Sequence, residues 1–123
     1  MVVAAQSIAS LLPYSPVVCR DRDEWKLERR SSIGASDSAG IFGVGFASQS
    51  IVTVWADKVH GIDDFEETER MAIGKLIEPG LRAVFAYATG FACENPGEFS
   101  IYRNPELPFM ATTLDGLALH PEY

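Results

Sequence analysis

The hydrophobic pattern of this chain changes period once, at Gly90, and that change limits the possible folds more than any other feature. Before it, apolar residues recur every three or four positions. Ile51, Val54, Trp55 and Val59 do so ahead of Gly61. Met71, Leu76, Ile77, Leu81, Val84, Phe85 and Ala88 do so ahead of Gly90. This spacing lines one face of a helix, and a glycine behind it is a stop signal. After Gly90, Phe99, Ile101, Phe109, Met110 and Leu117 stand among smaller or polar residues, and Asn95-Pro96-Gly97 and Asn104-Pro105 read as turns. The pattern predicts helices over 23–30, 50–60 and 66–89, with Leu76 and Ile77 on a core face and a kink or break at Pro79. It predicts strands over 98–103, 109–113 and 116–119. Helices first and strands afterwards give an α+β (α/β) class, with N-terminal helices followed by a small mixed sheet.

The start of the chain, with Pro13 and Pro16, disfavours a continuing helix. We therefore expect an arm over 1–22 and one domain over 23–123. Asp21 or Asp23 suits the N-cap of the first helix. Ser36 suits the N-cap of a short helix through Ser38–Phe42, which Gly43 would end. Between these helices, Ser31-Ser32-Ile33-Gly34-Ala35-Ser36-Asp37 is rich in small residues, which let the backbone approach a ligand closely.

Charge narrows the function classes. The net charge is −7, so a uniformly basic DNA-binding surface is excluded. Before residue 37, five Lys/Arg face four acids; from residue 37 onward, five face thirteen. A phosphate contact therefore belongs near Arg29. Clustered carboxylates further on suit a hard divalent cation, or simply solvate a surface. Cys19 and Cys93 have no metal-type spacing and read as reduced thiols. His60 and His120 are isolated. No apolar run of about 18 residues occurs, so we expect no transmembrane helix and a cytoplasmic location.

Three local features carry candidate chemistry. Arg29 beside the small-residue turn at Ser36 can hold a phosphate, through a planar guanidinium and free N–H groups at a helix start. Local physics alone favours a plain helix–turn–helix junction with exposed charges. Glu78 sits before Pro79 in Gly74-Lys75-Leu76-Ile77-Glu78-Pro79; a lone helical Glu is usually a solvated one. Asp115 ends the run Pro108–Leu114 and precedes Gly116. Within an apolar run it calls for a partner or a metal, but taken alone it reads as an ordinary turn aspartate. A metal-dependent phosphodiesterase commonly adds a second strand carboxylate and a Lys. No Lys or Arg follows Asp115, and Glu122 is the one later carboxylate.

The motifs also have a familiar order. Trp25 and Arg29 come first, then Ile33-Gly34-Ala35-Ser36-Asp37, then Val54-Trp55-Ala56-Asp57-Lys58 before Gly61. Gly74-x-x-x-Glu78-Pro79, Thr89-Gly90 and Ala111-Thr112-Thr113-Leu114-Asp115-Gly116 follow. This order, spanning Trp25 to Leu117, resembles the YqaJ-like viral recombinases, a family that includes the lambda-type phage exonucleases of the PD-(D/E)XK nuclease superfamily. Thr113-Leu114 stands where the family often has Pro or Ser. The resemblance implies an incomplete restriction-endonuclease-like core and a Mg²⁺- or Mn²⁺-dependent DNA exonuclease. It implies that Arg29 and Ser36 grip a terminal phosphate and that Glu78 and Asp115 are catalytic, metal-binding carboxylates. The family's Glu-x-Lys is expected where the sequence ends, so the chain alone is expected to be inactive. The implied partners are linear double-stranded DNA ends, a single-strand annealing recombinase and further copies of the chain, in a host cytoplasm if a phage encodes it.

Two other readings stay open. One is a non-catalytic module that binds DNA ends or a host factor. The other is an acidic DNA mimic that blocks a DNA-binding protein.

Overall fold

The structure is a computed structural model and describes residues 7–45, 49–62 and 66–122. The chain forms two compact units. One comprises Met1–Ser15, Glu66–Glu98 and Leu114–Tyr123; the other comprises Pro16–Phe65 and Phe99–Thr113.

The second unit holds three helices and a three-stranded antiparallel sheet. Helix α1 (Arg22–Arg29) starts at Asp21, whose carboxylate accepts the Glu24 N–H at 2.9 Å. Helix α2 (Ala35–Ile41) starts one residue after Gly34, so Ser36 lies inside the helix and is not its N-cap. The reason is Asp37: its carboxylate reaches back to the Gly34 N–H at 2.8 Å and fixes the helix start earlier. Helix α3 (Ile51–His60) has the expected ends. Ser50 and Thr53 exchange side-chain and backbone hydrogen bonds at its start, and Gly61 closes it with φ 66°.

The strands of this unit are β1 (Val17–Val18), β3 (Ser100–Arg103) and β4 (Ala111–Thr112), in the order β1-β3-β4. Val17 faces Ile101, and Tyr102 faces Thr112. The sequence pattern missed β1, which is an exposed edge. Ile101 is 1% exposed, with Cys19 and Tyr102 also buried. Full burial of one such aliphatic side chain contributes about 1.5–3 kcal/mol. Gly40 lets α2 lie against α3: a Cβ there would come within 2.9 Å of the Val54 methyl.

In the first unit, helix α4 (Glu69–Thr89) packs against a two-stranded antiparallel sheet of β2 (Ala92–Glu94) and β5 (Leu117–Leu119). Strand β2 is a second element missing from the sequence expectation. A 3-10 turn, Ile8–Leu11, also belongs here, held by Glu94, whose carboxylate accepts from the Ser7 hydroxyl and the Ala9 N–H at 2.7 Å each.

Helix α4 differs from the sequence expectation in its packed face. It continues through Pro79 without a break, although the ring removes one backbone donor. Its half-buried row is Gly74, Glu78, Arg82 and Ala86, four residues apart. Leu76 and Ile77 lie off that row, 80% and 52% exposed, and are not core residues of this unit. The spacing therefore identified the helix but assigned its packed face to the wrong side.

The overall class is α+β, with the strands divided between two small antiparallel sheets and one parallel bridge, Ile33 to Met110. Among the described residues, no helix is long and apolar enough to cross a membrane.

Candidate functional site

The second unit brings Arg29 and Ser36 together. Arg29 is the last residue of α1, and its guanidinium lies over the Trp25 ring, 4.5 Å from the centroid. A guanidinium so stacked keeps its edges free for hydrogen bonds. One Nη2 donates to the Ser36 hydroxyl at 3.1 Å.

The turn between them is pinned from the other side. The Ile33 N–H donates to the Phe109 carbonyl at 2.6 Å, and the Ala111 N–H donates to the Ile33 carbonyl at 3.1 Å. Strand β4 is thereby fastened to the Gly34 turn. The result is a cavity of about 210 Å³ walled by Arg29, Gly34, Ser36, Ala111, Thr112 and Thr113, among others. A Cβ on Gly34 would lie 3.6 Å from the Ala111 carbonyl and 3.9 Å from the Arg29 guanidinium, so it would narrow this cavity.

Behind the cavity lies a network that the sequence reading did not anticipate. Lys58 Nζ is 2.9 Å from Asp37 Oδ2, and both side chains are largely buried, at 14% and 11% exposed. The same ammonium donates to the Arg29 carbonyl at 3.2 Å. Arg103 donates to the Glu28 carbonyl, the Glu28 carboxylate and the Ser31 hydroxyl, at 3.1, 2.6 and 2.7 Å. The last carbonyls of α1 thus meet two cations, which favour that end of a helix. Lys58 and Asp37 were visible only as motif letters; their pairing depends on α2 meeting α3. Asp37 takes the Gly34 N–H, so that donor at the start of α2 is already engaged.

Cys19 is buried in the same unit. Burial pushes its thiol above the ordinary value, and the carboxylates of Glu24, Glu28 and Asp21 push it further the same way. It remains a neutral thiol, which fits a packing role.

The first unit brings Glu78 and Asp115 to one open cavity of about 330 Å³, shared with Arg82, Phe85, Cys93 and Gly116. Glu78 comes from the packed row of α4, and Asp115 from the bend before β5. Arg82, one turn after Glu78, stands with them. Its Nη1 donates to the Asp115 carbonyl at 2.7 Å and lies 3.9 Å from the Glu78 carboxylate. Gly116 leaves room for this arm, since a Cβ there would touch the Arg82 side chain at 3.4 Å. Arg82 was not singled out from the sequence, though its spacing of four from Glu78 was a usable signal.

Two carboxylates lining one open cavity are a donor set that suits a small hard cation, which commonly takes one or two carboxylates and completes its shell with water. Among the described residues there is no group of three or more His, Cys, Asp or Glu that would hold a metal unaided.

Comparison with known proteins agrees with the motif order. The model of the YqaJ-like viral recombinase domain matches residues 24–122. Uncharacterized protein YqaJ of Bacillus subtilis (strain 168) is 30% identical over 95 residues, which cover 76% of this chain. The match covers 29% of the length of that relative. No solved structure matches. The family match takes in Arg29, Ser36, Glu78 and Asp115 alike, and the chain belongs to the YqaJ-like viral recombinase domain family.

Proposed function

We propose that this chain is the terminal-phosphate-binding and part of the metal-binding portion of a Mg²⁺-dependent DNA exonuclease that processes 5′ ends of linear duplexes for recombination. The observation that carries this reading is the cavity at Arg29 and Ser36, where a stacked guanidinium, a hydroxyl and a glycine-lined turn meet. Arg29 offers a terminal phosphate two parallel donors, and Ser36 offers a third. Stacking on Trp25 limits the side-chain freedom that binding would otherwise remove.

Glu78 and Asp115 are the residues that would hold Mg²⁺ or Mn²⁺. A bound ion of this kind polarises a phosphate oxygen and lowers the pKa of water. Glu-x-Lys does not occur between Asp115 and Tyr123. These 123 residues alone are therefore expected to hold DNA ends without cutting them. Linear duplex DNA is the proposed partner, with a single-strand annealing recombinase and further copies of the chain alongside.

One observation favours a second reading, a DNA-end-binding module that never cuts. Arg82 places a positive charge between Glu78 and the Asp115 backbone, in the cavity proposed for the ion.

The test is digestion of 5′-phosphorylated linear duplex DNA with Mg²⁺. The chain is assayed alone and together with a polypeptide that supplies a Glu-x-Lys strand. The nuclease reading predicts cutting only in the second case, and its loss in Asp115→Ala. Cutting that persists in Asp115→Ala would overturn the metal assignment. End binding without cutting in either case would establish the second reading.

A further inference from the structure

We propose that Lys58 is a positioning residue for the phosphate cavity, acting through Arg29 on one side and Asp37 on the other. The proposal rests on the phosphate-binding reading above.

Three distances carry it. Lys58 Nζ donates to the Arg29 carbonyl at 3.2 Å. The same atom lies 2.9 Å from Asp37 Oδ2. That oxygen also accepts the Gly34 N–H at 2.8 Å. One ammonium therefore touches the main chain of the residue that supplies the guanidinium. Through one carboxylate it also reaches the turn that forms the cavity wall. Ser36 lies in the segment between Gly34 and Asp37, so both phosphate-facing side chains are tied to the same point. A lysine has three donors on a single charged centre, which suits it to joining several acceptors.

Charge gives Lys58 a second effect on the cavity. Asp37 Oδ2 would lie 3.6 Å from a Cβ on Gly34, so a carboxylate stands directly behind the cavity wall. Left alone it would repel a phosphate across a short, poorly hydrated gap. The Lys58 ammonium neutralises it. A second carboxylate, Asp57 Oδ2, stands 3.8 Å from the same ammonium. Removing the lysine would leave Asp37 buried and unpaired, and its charge would face the bound phosphate.

The experiment is fluorescence anisotropy without divalent metal, on duplexes identical except for a 5′-phosphate or a 5′-hydroxyl. The readout is the ratio of the two dissociation constants. Wild type is expected to prefer the phosphate. Lys58→Met is expected to reduce that preference by about tenfold, the size of one lost charge-assisted contact, with the affinity for the hydroxyl end nearly unchanged. Lys58→Arg, which restores the cation, should recover much of the preference. A purely structural role would lower both affinities together and leave the ratio alone.

If wild type prefers the phosphate and Lys58→Met keeps the full preference, the Lys58 proposal is overturned and the phosphate reading stands. If wild type shows no preference, the phosphate reading falls and takes this proposal with it. Should Lys58→Met fail to fold, Lys58→Gln decides by the same ratio. It keeps a donor for the Arg29 carbonyl but removes the charge that neutralises Asp37. A reduced preference supports the proposal, and an unchanged one overturns it.

Discussion

Around Arg29, each candidate group is held by neighbours that are themselves held; around Asp115, among the described residues, the candidate groups share a contact with Arg82. Arg29 stacks on Trp25 and bonds to Ser36, while Lys58 and Arg103 fix the carbonyls behind it. Beneath them Ile101 is almost fully buried. In the other unit, Glu78 and Asp115 are linked through Arg82, at 3.9 and 2.7 Å, and the helix that carries Glu78 exposes most of its apolar stripe. A recognition site works best when it is rigid before the ligand arrives, because ordering flexible groups weakens binding. A carboxylate pair can remain adjustable until an ion draws it together. The difference matches the two roles proposed.

The largest predicted effect tests the packing side of this contrast. Ile101→Ala should destabilise the chain by about 3 kcal/mol, from lost burial and the cavity left behind. Leu76→Ala should change stability by less than about 0.5 kcal/mol, as surface substitutions do. Urea denaturation of both variants would measure this, and a large Leu76 effect would place the apolar stripe of α4 in a packed interface after all.

The next concerns phosphate recognition. Arg29→Ala should weaken binding to a 5′-phosphorylated duplex by about tenfold or more, for the loss of charge-assisted hydrogen bonds. Its circular dichroism should match wild type. Equal affinity in the two proteins would remove Arg29 from the site.

Smaller still is the effect of clearing the acidic cavity. A long, partly exposed Arg–carboxylate contact of 3.9 Å contributes about 0–1 kcal/mol, so Arg82→Ala should tighten Mn²⁺ binding by no more than about fivefold. Electron paramagnetic resonance titration would follow it. Weaker binding in this variant would show that Arg82 organises the carboxylates and does not compete for them.

The smallest effect is a pH dependence. Hydrogen bonds from the Ser7 hydroxyl and the Ala9 N–H hold the Glu94 carboxyl below its ordinary range. A carboxyl whose folded value is depressed stabilises the fold above its unfolded pKa of about 4.3. That contribution is lost as pH falls through the lower, folded value. Wild type should therefore exceed Glu94→Gln in melting temperature at neutral pH, and the gap should close in acid. A gap that stays constant to low pH would contradict the contacts with the 3-10 turn.

Much of this was readable from the sequence, within limits that have physical causes. Helices α1 and α3 were legible because Asp21, Ser50 and Gly61 act locally, within one turn of the backbone they cap. Ser36 was misplaced as a cap because Asp37, also local, competed and won. Strands β1 and β2 were missed because two or three residues hold too little alternation to read. The α4 stripe misled because periodicity gives a face but not its neighbour. Arg29 and Ser36 were legible as a pair because the turn joining them is short. Lys58, Arg103 and Arg82 were not, since their partners lie 29, 75 and 33 residues away.

The central claim is that the Arg29 cavity reads a terminal phosphate, and the most direct measurement is wild-type binding to matched 5′-phosphate and 5′-hydroxyl duplexes in metal-free buffer, with a closed circular duplex as competitor. The account predicts that the phosphorylated end binds more tightly and that the circular competitor displaces it poorly. Equal affinity for both ends, or ready displacement by the circle, would contradict it.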